Sequence, residues 1–404
     1  MAETPIHRMA EEELPRVLEM LAATGATART DTTWRQDAMT ALLLGDTAAP
    51  AAAMPISRRS LRIGPGPAGG RTLPAGWITS NMFPQKMGWR RHSRATAGRW
   101  AELLPDCDIL TVVRRDQPNA AARWYAQTGF HTVMSIRCLY LAMEQPPGGQ
   151  AGRYLMKVIG PAEVDQWSGQ MLEVHNAVFA NTGGTVARHA RYWGPALEHH
   201  FYGQHYQFQV IGLWSADTLM GYAVVGWSGW HSPRPRMDIL ELATRQWDTG
   251  IAEELIRTTC QLAWSKNVME VRAVISVHDP YRGYLARTGF VDQWGYVMLA
   301  KWLWPQRYLD ALQLGEALGA SDLTVQIQAA GEVPLRIATG RRTMRLTGDA
   351  SAITRLLLQR LEISTAVHDG TLVVTSGGDI DRDVAALSMA FPWTPWAFHM
   401  LDYI

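Results

Sequence analysis

The sequence predicts an α/β fold with mixed sheets, repeated in tandem and followed by a smaller α/β domain. Strand and helix patterns alternate along most of the chain. The pattern Ala-x-Thr-Gly-Phe ends at Phe130 and again at Phe290, each time after a strand and a short helix. The 404 residues exceed one typical domain of ~150 residues. We therefore divide the chain into residues 1–145, 153–303 and 304–404.

Composition narrows the class of protein. Hydrophobic residues make up 47% of the chain, which excludes general disorder, and the net charge of +1 disfavours a nucleic-acid partner. The three cysteines form neither a disulfide framework nor a metal motif. No signal peptide and no apolar run of ~18 residues is present, so we expect a soluble cytoplasmic protein without a membrane partner. The 17 Trp against 8 Phe indicate a binding pocket.

In the first unit, hydrophobic spacing and turn residues predict each element. Leu14, Val17, Leu18 and Leu21 recur at helical spacing. Gly129 is a typical helix-ending residue. Helices are predicted over 7–23, 35–44, 90–104 and 120–127, strands over 51–63, 77–83, 108–113 and 131–143, a turn over 64–70 and a linker over 145–152.

The pattern restarts after the linker. The second unit is predicted to have strands over 153–159, 208–215, 220–227, 237–243, 268–277 and 296–302, and helices over 163–179, 249–265 and before Gly289. In the third domain, residues 349–360 read as a helix and 364–375 as strand, turn and strand. Its aromatic end, which includes Trp393, Trp396 and Phe398, would be costly to leave in water, so we expect it to be buried inside another domain. We also expect this tail to enter the active site of the first unit.

Two groups of motifs resemble known families. The stretch Asn119-Ala-Ala-Ala-Arg-Trp-Tyr-Ala-Gln-Thr-Gly-Phe130 resembles the last signature of the GNAT N-acetyltransferase superfamily. Leu335-Arg-Ile-Ala-Thr-Gly, Thr347-Gly-Asp-Ala and Asp369-Gly-Thr-Leu-Val-Val resemble a sterol-carrier-like domain. Two GNAT-like units followed by such a domain resemble the Eis-type (enhanced intracellular survival) aminoglycoside acetyltransferases over nearly the whole chain.

The resemblance implies an acetyl-CoA-dependent N-acyltransferase with one active unit. Tyr125 would be the general acid and the carboxylate of Ile404 the general base, while Leu285 replaces the tyrosine in a silent second unit. An α-carboxylate is ionised at neutral pH and can accept a proton from an amine held against it. Before the resemblance is considered, Tyr125 could equally be a core aromatic and Ile404 a frayed end.

The cofactor contacts are predicted from the same resemblance. Backbone N–H groups of the strand near Ser80 and Met82 would polarise the thioester, and a helix N-terminus near Arg90 would bind the pyrophosphate. Ser93 stands where the superfamily has glycine, so a basic helix start facing solvent is the alternative for this loop. The predicted cofactor-binding residues are Ser80, Met82, Arg90, Arg91, Ser93, Arg94 and Asn119, and the predicted substrate-binding residues are Trp34, Trp396 and Asp402.

Three functions are consistent with these residues. The first is acyl transfer from acetyl-CoA or another acyl-CoA to an amine of an aminoglycoside-like or other polyamine natural product. The second, suggested by Ser93, is a CoA-independent tailoring enzyme of antibiotic biosynthesis that transfers a formimidoyl or imine group, or hydrolyses a lactam or amide, on a streptothricin-like substrate. The third is an antibiotic-binding protein without catalysis. No metal is predicted, because nothing completes a ligand set with His199, His200 and His205. The resemblance also implies a homo-oligomer.

Overall fold

The structure is a computed structural model. It describes residues 6–23, 39–46, 49–65, 71–78, 99–148, 152–198, 206–228, 235–245, 248–312, 314, 318, 322–337 and 340–402. No helix in these ranges is long and apolar enough to cross a membrane.

The first unit combines six strands with three helices in its described part. Its strands are β1 Ile6–Arg8, β2 Met39–Asp46, β3 Ala49–Gly64, β4 Arg71–Ile78, β5 Ile109–Arg115 and β6 His131–Ala142, and its helices are α1 Leu14–Ala23, α2 Trp100–Leu103 and α3 Ala120–Gln127.

The second unit repeats this alternation of strands and helices. Its strands are β7 Leu155–Ile159, β8 Gly183–Val186, β9 Tyr206–Ser215, β10 Thr218–Ser228, β11 Met237–Thr244, β12 Glu270–Ser276 and β13 Val291–Trp302, and its helices are α4 Val164–Phe179, α5 Trp193–Glu198, α6 Thr249–Ser265 and α7 Arg282–Arg287.

The two units share one 13-stranded sheet because they exchange their last strands. The strand order is β1-β2-β3-β4-β5-β13-β6-β12-β11-β10-β9-β7, with β8 paired to β3. Strand β13 of the second unit thus lies between β5 and β6 of the first, and β6 of the first lies between β12 and β13 of the second. Neither unit has a complete sheet without the other.

The repeated pattern forms the same local structure in both units. Helices α3 and α7 are each followed by glycine with positive φ, 84° at Gly129 and 93° at Gly289. Phe130 N donates to Tyr125 O and Phe290 N donates to Leu285 O, both at 3.0 Å. Both glycines adopt the left-handed conformation that ends a helix. The sequence repeat is therefore also a structural repeat.

The third domain is a four-stranded mixed sheet with helices. The strands, in the order β15-β14-β16-β17, are β14 Leu323–Ala329, β15 Leu335–Ile337, β16 Arg342–Gly348 and β17 Leu372–Ser376, and the helices are α8 Pro305–Ala311, α9 Ala350–Leu357, α10 Ile363–His368 and α11 Ile380–Ala390. Helix α9 packs on β6, which joins this domain to the shared sheet. The sterol-carrier-like assignment of the domain stays a prediction.

Several predicted elements are wrong in the structure. Residues 39–44 of the predicted helix 35–44 form β2, which is hydrogen-bonded to β1 and β3 on either side. Residues 6–8 of the first unit are a strand, and the helix of that region begins at Leu14. The predicted strand after Ser364 is helix α10, because the Glu362 carboxylate accepts hydrogen bonds from the N–H groups of Ser364 and Thr365 and caps it.

Candidate active site

The sheet of the first unit opens between β4 and β5. Among the described residues, which on this side end at Ile78, these strands pair in parallel from Ala75 to Trp77, opposite Ile109 to Thr111. Two polar atoms at the last pair, Trp77 Nε1 and Thr111 Oγ1, are buried and have no hydrogen-bond partner. Buried polar atoms are normally paired with protein, water or a ligand. These two atoms, at the end of the parallel pairing, have hydrogen-bonding capacity that the described residues do not use.

Helix α3 places Tyr125 in an aromatic cluster beside β5. The Asn119 side chain caps this helix by accepting a hydrogen bond from Ala122 N at 2.9 Å. Tyr125 is 1% exposed, and its ring lies 4.7 Å from that of Trp124 and 5.1 Å from that of Phe130. The described contacts give Asn119 a structural role as a cap, and its role in cofactor binding stays a prediction, as does the acid role of Tyr125.

The corresponding opening of the second unit is filled. Strands β11 and β12 also pair in parallel over only three residues. Phe398 and His399 of the third domain line the space beyond that pairing, which is reduced to about 10 Å³. The Asp248 carboxylate accepts hydrogen bonds from Gly250 N at 2.8 Å and Ile251 N at 3.1 Å. The N–H groups that an anion would need at the start of α6 are therefore already paired.

The chain end that fills this opening is joined to β8 by a single parallel β-bridge between Gly183 and Trp396. Gly183 N donates to Pro395 O and Ala397 N donates to Gly183 O, each at 3.0 Å. Trp396 is fully buried, and a Cβ on Gly183 would lie only 2.1 Å from Trp396 Nε1. Only glycine allows this approach. The contacts of Trp396 are those of an anchor, and its role in substrate binding stays a prediction.

Asp402 ends the described tail in a buried ionic cluster. Its carboxylate accepts hydrogen bonds from Tyr192 Oη at 2.7 Å and Val186 N at 3.0 Å, and it forms an ion pair with Arg188 at 2.6 Å. Arg188 also pairs with Glu241 at 2.5 Å, and the side chains of this ion triad are at most 1% exposed. The cluster fixes the backbone two residues before Ile404.

The charges of this cluster stabilise one another. Burial opposes the charge of Arg188, but Asp402 and Glu241 outweigh burial and raise its pKa well above the ordinary value. Burial likewise opposes the charge of Glu241, but Arg188 keeps the pKa of that carboxyl well below its usual range. Burial lowers the pKa of His175 and of His399, so both imidazoles are neutral. Removing one charged member would leave another buried without a partner.

His175, Glu241 and His399 also place three potential metal ligands within 4.8 Å of one another. Glu241 already accepts hydrogen bonds from Trp193, Tyr222 and twice from Arg188. These four bonds use the lone pairs of the carboxylate, and a cation would lie close to the Arg188 guanidinium. The donor set thus fits a hydrogen-bonded core and does not fit a metal.

An open cleft of about 330 Å³ lies next to this cluster, between β3 and α5. Tyr192, whose hydroxyl holds Asp402, lines it together with Arg58, Arg59 and Arg191. A larger cavity of about 1030 Å³ lies between residues 141–148 and α6 and contains none of the predicted site residues. The cleft of about 330 Å³ is lined by residues of both units and lies next to the tail residue Asp402.

The remaining predicted site residues lie outside the described ranges. They are Trp34, Ser80, Met82, Arg90, Arg91, Ser93, Arg94 and Ile404. Sequence reasoning missed Arg188 and Glu241, because their partners come from distant parts of the chain and no motif marks them. A weak signal was available only for Glu241, a charged residue in the apolar run Ile239-Leu-Glu-Leu-Ala243, because Arg188 is followed by His189 and Arg191.

Solved structures share this architecture over nearly their full length. They include an Enterococcus faecalis protein of unknown function described as a probable N-acyltransferase (12% identity, TM-score 0.65, 99% of this chain and 98% of that chain). They also include a GCN5-related N-acetyltransferase from Anabaena variabilis (13%, 0.63, 99% and 100%). Eis1 from Mycobacterium abscessus matches as well (14%, 0.56, 97% and 98%). The chain has the GNAT fold in tandem.

The tandem GNAT arrangement and the resemblance to Eis-type proteins agree with the prediction from the sequence. No family model matches the chain, and no curated protein is significantly similar to it. At these low identities the likeness establishes the fold alone. The chemistry has to be argued from the residues of this chain.

Proposed function

We propose that this protein is an acyl-CoA-dependent N-acyltransferase whose first GNAT unit is catalytic and whose acceptor is an amine. The observation that carries the proposal is the asymmetry between the two openings of the shared sheet. The second opening is reduced to about 10 Å³ by the tail. The first has unpaired polar atoms at Trp77 and Thr111, whereas the unpaired atom at the second, His399 Nε2, belongs to the tail that fills it. Only the first unit combines such an opening with a tyrosine at the signature position.

The unpaired polar atoms at the first opening can form hydrogen bonds with an acyl-CoA. Trp77 Nε1 can donate a hydrogen bond, and Thr111 Oγ1 can donate or accept one. When bound, the cofactor supplies an activated acyl group as a thioester. The predicted pyrophosphate residues lie outside the described ranges, so the role of Ser93 rests on the resemblance.

The proposed chemistry needs two proton transfers. The amine nitrogen forms a bond to the acyl carbon while the carbon–sulfur bond breaks, and the nitrogen loses one proton as the sulfur gains one. A tyrosine hydroxyl is protonated at neutral pH, and we assign the proton for the sulfur to Tyr125. The cluster around Asp402 would hold the tail beside the cleft, where the proposed base Ile404 would receive the proton from the amine.

Two measurements test the proposal. Calorimetric titration of the full chain with acetyl-CoA should show binding, and incubation with an amine panel should release free thiol together with acylated products identified by mass spectrometry. The panel should contain aminoglycosides, polyamines, amino acids and dipeptides. Parallel reactions without CoA should yield no product.

Two different outcomes would contradict the acyltransferase proposal. Product formation without CoA would replace the proposal with a CoA-independent tailoring reaction. Stoichiometric ligand binding without acetyl-CoA binding and without chemical change would favour a binding protein. Tyr125→Phe is the control for the site, because it should retain acetyl-CoA binding while turnover falls.

A further inference from the structure

The cleft between β3 and α5 is basic. Its positive residues are Arg59 of the first unit and Arg191 of the second, with His189 beside them, and its lining contains no carboxylate. Arg58 also lines the cleft, but its guanidinium pairs with Asp106. Its walls are joined by a hydrogen bond from Ala187 N to Ser60 O at 2.8 Å. The volume of about 330 Å³ is that of a small-molecule site. We call this site the arginine cleft.

Nearby acidic groups do not neutralise Arg59 and Arg191. Asp106 pairs with Arg58 at 3.3 Å, and the alternation of side chains along β3 directs Arg58 to the face opposite Arg59. Asp402 lies behind Tyr192 and is already paired with the buried Arg188. No acidic partner is recorded for Arg59 or Arg191 within the described ranges. Even with the single negative charge of the proposed base Ile404 beside it, a ligand in the cleft meets a net positive field from Arg59 and Arg191.

Arg59 carries a more specific signal. Its Nε donates to Ser57 Oγ at 2.9 Å, whereas its Nη1 is buried and has no hydrogen-bond partner. A buried guanidinium N–H without a partner is costly, and a carboxylate is the planar acceptor that fits it best. Arg59 thus has an unused donor at the edge of a positively charged cleft.

The arginine cleft also continues toward the proposed site of acyl transfer. Ser57, Trp77 and Thr111 are direct neighbours across β3, β4 and β5, so their side chains share one face of the sheet. Arg59 lies two residues along β3 from Ser57 and points to the same face. The unpaired atoms of Arg59, Trp77 and Thr111 therefore lie on one side of the sheet in neighbouring rows.

We propose that the acyl acceptor is an amine that carries a carboxylate, and that the arginine cleft binds this carboxylate through Arg59, with Arg191 and His189 at the rim. The inference rests on the proposed acyltransferase function. It replaces the expectation of an aminoglycoside-like polyamine, whose positive charges the cleft would repel. An amino-acid-like or peptide-like acceptor would place its carboxylate in the cleft and its amine toward the opening between β4 and β5.

A binding experiment without any acyl donor tests the cleft independently of catalysis. Thermal stability of the full chain is measured with amino acids and dipeptides, each paired with its C-terminal amide. At least one free acid should stabilise the protein and bind at least about tenfold more tightly than its amide. Arg59→Met and Arg191→Met should remove this preference, Arg59→Lys should restore part of it, and Arg345→Met, an exposed change on β16, should leave it intact.

Activity then separates the two proposals. If an acid is acylated, the KM for it should rise at least about tenfold in Arg191→Met, while the KM for its amide stays unchanged. Equal binding of acids and amides, or preferred acylation of polyamines, overturns the carboxylate proposal while leaving the acyltransferase intact. Acid binding that depends on Arg59 without any acylation overturns the function and keeps the cleft. Weaker binding of CoA but not of 3′-dephospho-CoA by Arg59→Met would assign the cleft to the cofactor phosphate and also overturn the proposal.

Discussion

The two GNAT units have the same helix at the signature position but different surroundings. In the first, Tyr125 follows Asn119, an exposed cap, by six residues. In the second, Leu285 follows Asp279, which is buried, by the same interval. Both helices end at a positive-φ glycine with the same backbone hydrogen bond to the following phenylalanine. The second unit therefore keeps the helix and its glycine end, but it has Leu285 in place of the tyrosine.

This difference shows what the second unit contributes. Its opening holds Phe398 and His399, and its buried Arg188, which also pairs with Glu241, holds Asp402. It also supplies β13 to the sheet of the first unit. The second unit thus positions strands and the chain end, whereas the proposed chemistry belongs to the first. Four changes test this division.

The largest expected effect is at the signature position. Tyr125→Phe should lower kcat roughly 10²- to 10⁴-fold, which is the range for losing a general acid. The aromatic packing with Trp124 and Phe130 is kept, so the melting temperature should change little. Leu285→Met is the matched change in the second unit and should leave kcat unaffected. Equal losses in both variants, or none in Tyr125→Phe, would contradict the division.

The second largest effect is on stability. Arg188→Met should lower the free energy of unfolding by about 3–5 kcal/mol, because it leaves Glu241 and Asp402 buried without their cation. Urea unfolding of the full chain measures it, with the exposed Arg345→Met as the control. A loss below about 1 kcal/mol would mean that the ionic cluster does not secure the tail.

The third effect depends on pH. Burial raises the pKa of Asp279 to about 7, while an unfolded aspartate titrates near ~4. Between these values the folded state holds one more proton, so this group makes the free energy of unfolding fall as pH rises, by at most about 1.4 kcal/mol per pH unit. Asp279→Asn keeps an acceptor for Tyr281 N and removes the titration.

The variant and the wild type should therefore have similar stability near pH 3, and the variant should be the more stable one at pH 8. Thermal unfolding across this range measures the difference. If the stability of the wild type and of Asp279→Asn changed with pH in parallel, Asp279 would be ionised in the folded protein. Asn119→Asp, the reciprocal change at an exposed cap, should add no comparable slope.

The sequence was sufficient for elements with strong local signals. Helices α3 and α6 have the predicted bounds, because each combines a side-chain cap with apolar spacing and a clear end. Strand β2 was predicted as a helix, because the run Ala41-Leu-Leu-Leu44 lies between two strands and lacks alternation. Helix α10 was predicted as a strand, because its Val and Thr residues favour strands. The Glu362 cap, which favours a helix, is a weaker signal in the sequence.

The strand exchange and the ionic cluster could not be predicted in the same way. Pairing of β5 with β13 joins residues about 190 positions apart, and no local signal specifies that register. The cluster joins Val186, Glu241 and Asp402, which become neighbours only in the folded chain. Sequence reasoning did predict that the aromatic tail is buried, because its burial follows from composition, although Trp393 is 43% exposed. The described tail fills the opening of the second unit, and its entry into the active site of the first stays a prediction.

The smallest expected effect compares the two helix caps. Asn119→Ala and Asp248→Ala each remove a side chain that accepts backbone N–H groups, and each should cost ~1 kcal/mol of unfolding free energy. They should differ in ligand binding. Asp248→Ala frees the N–H groups of Gly250 and Ile251, but the tail still fills the opening, so titration with acetyl-CoA should show no second binding event. A second event would mean that the Asp248 carboxylate, and not Phe398 and His399, closes the second unit.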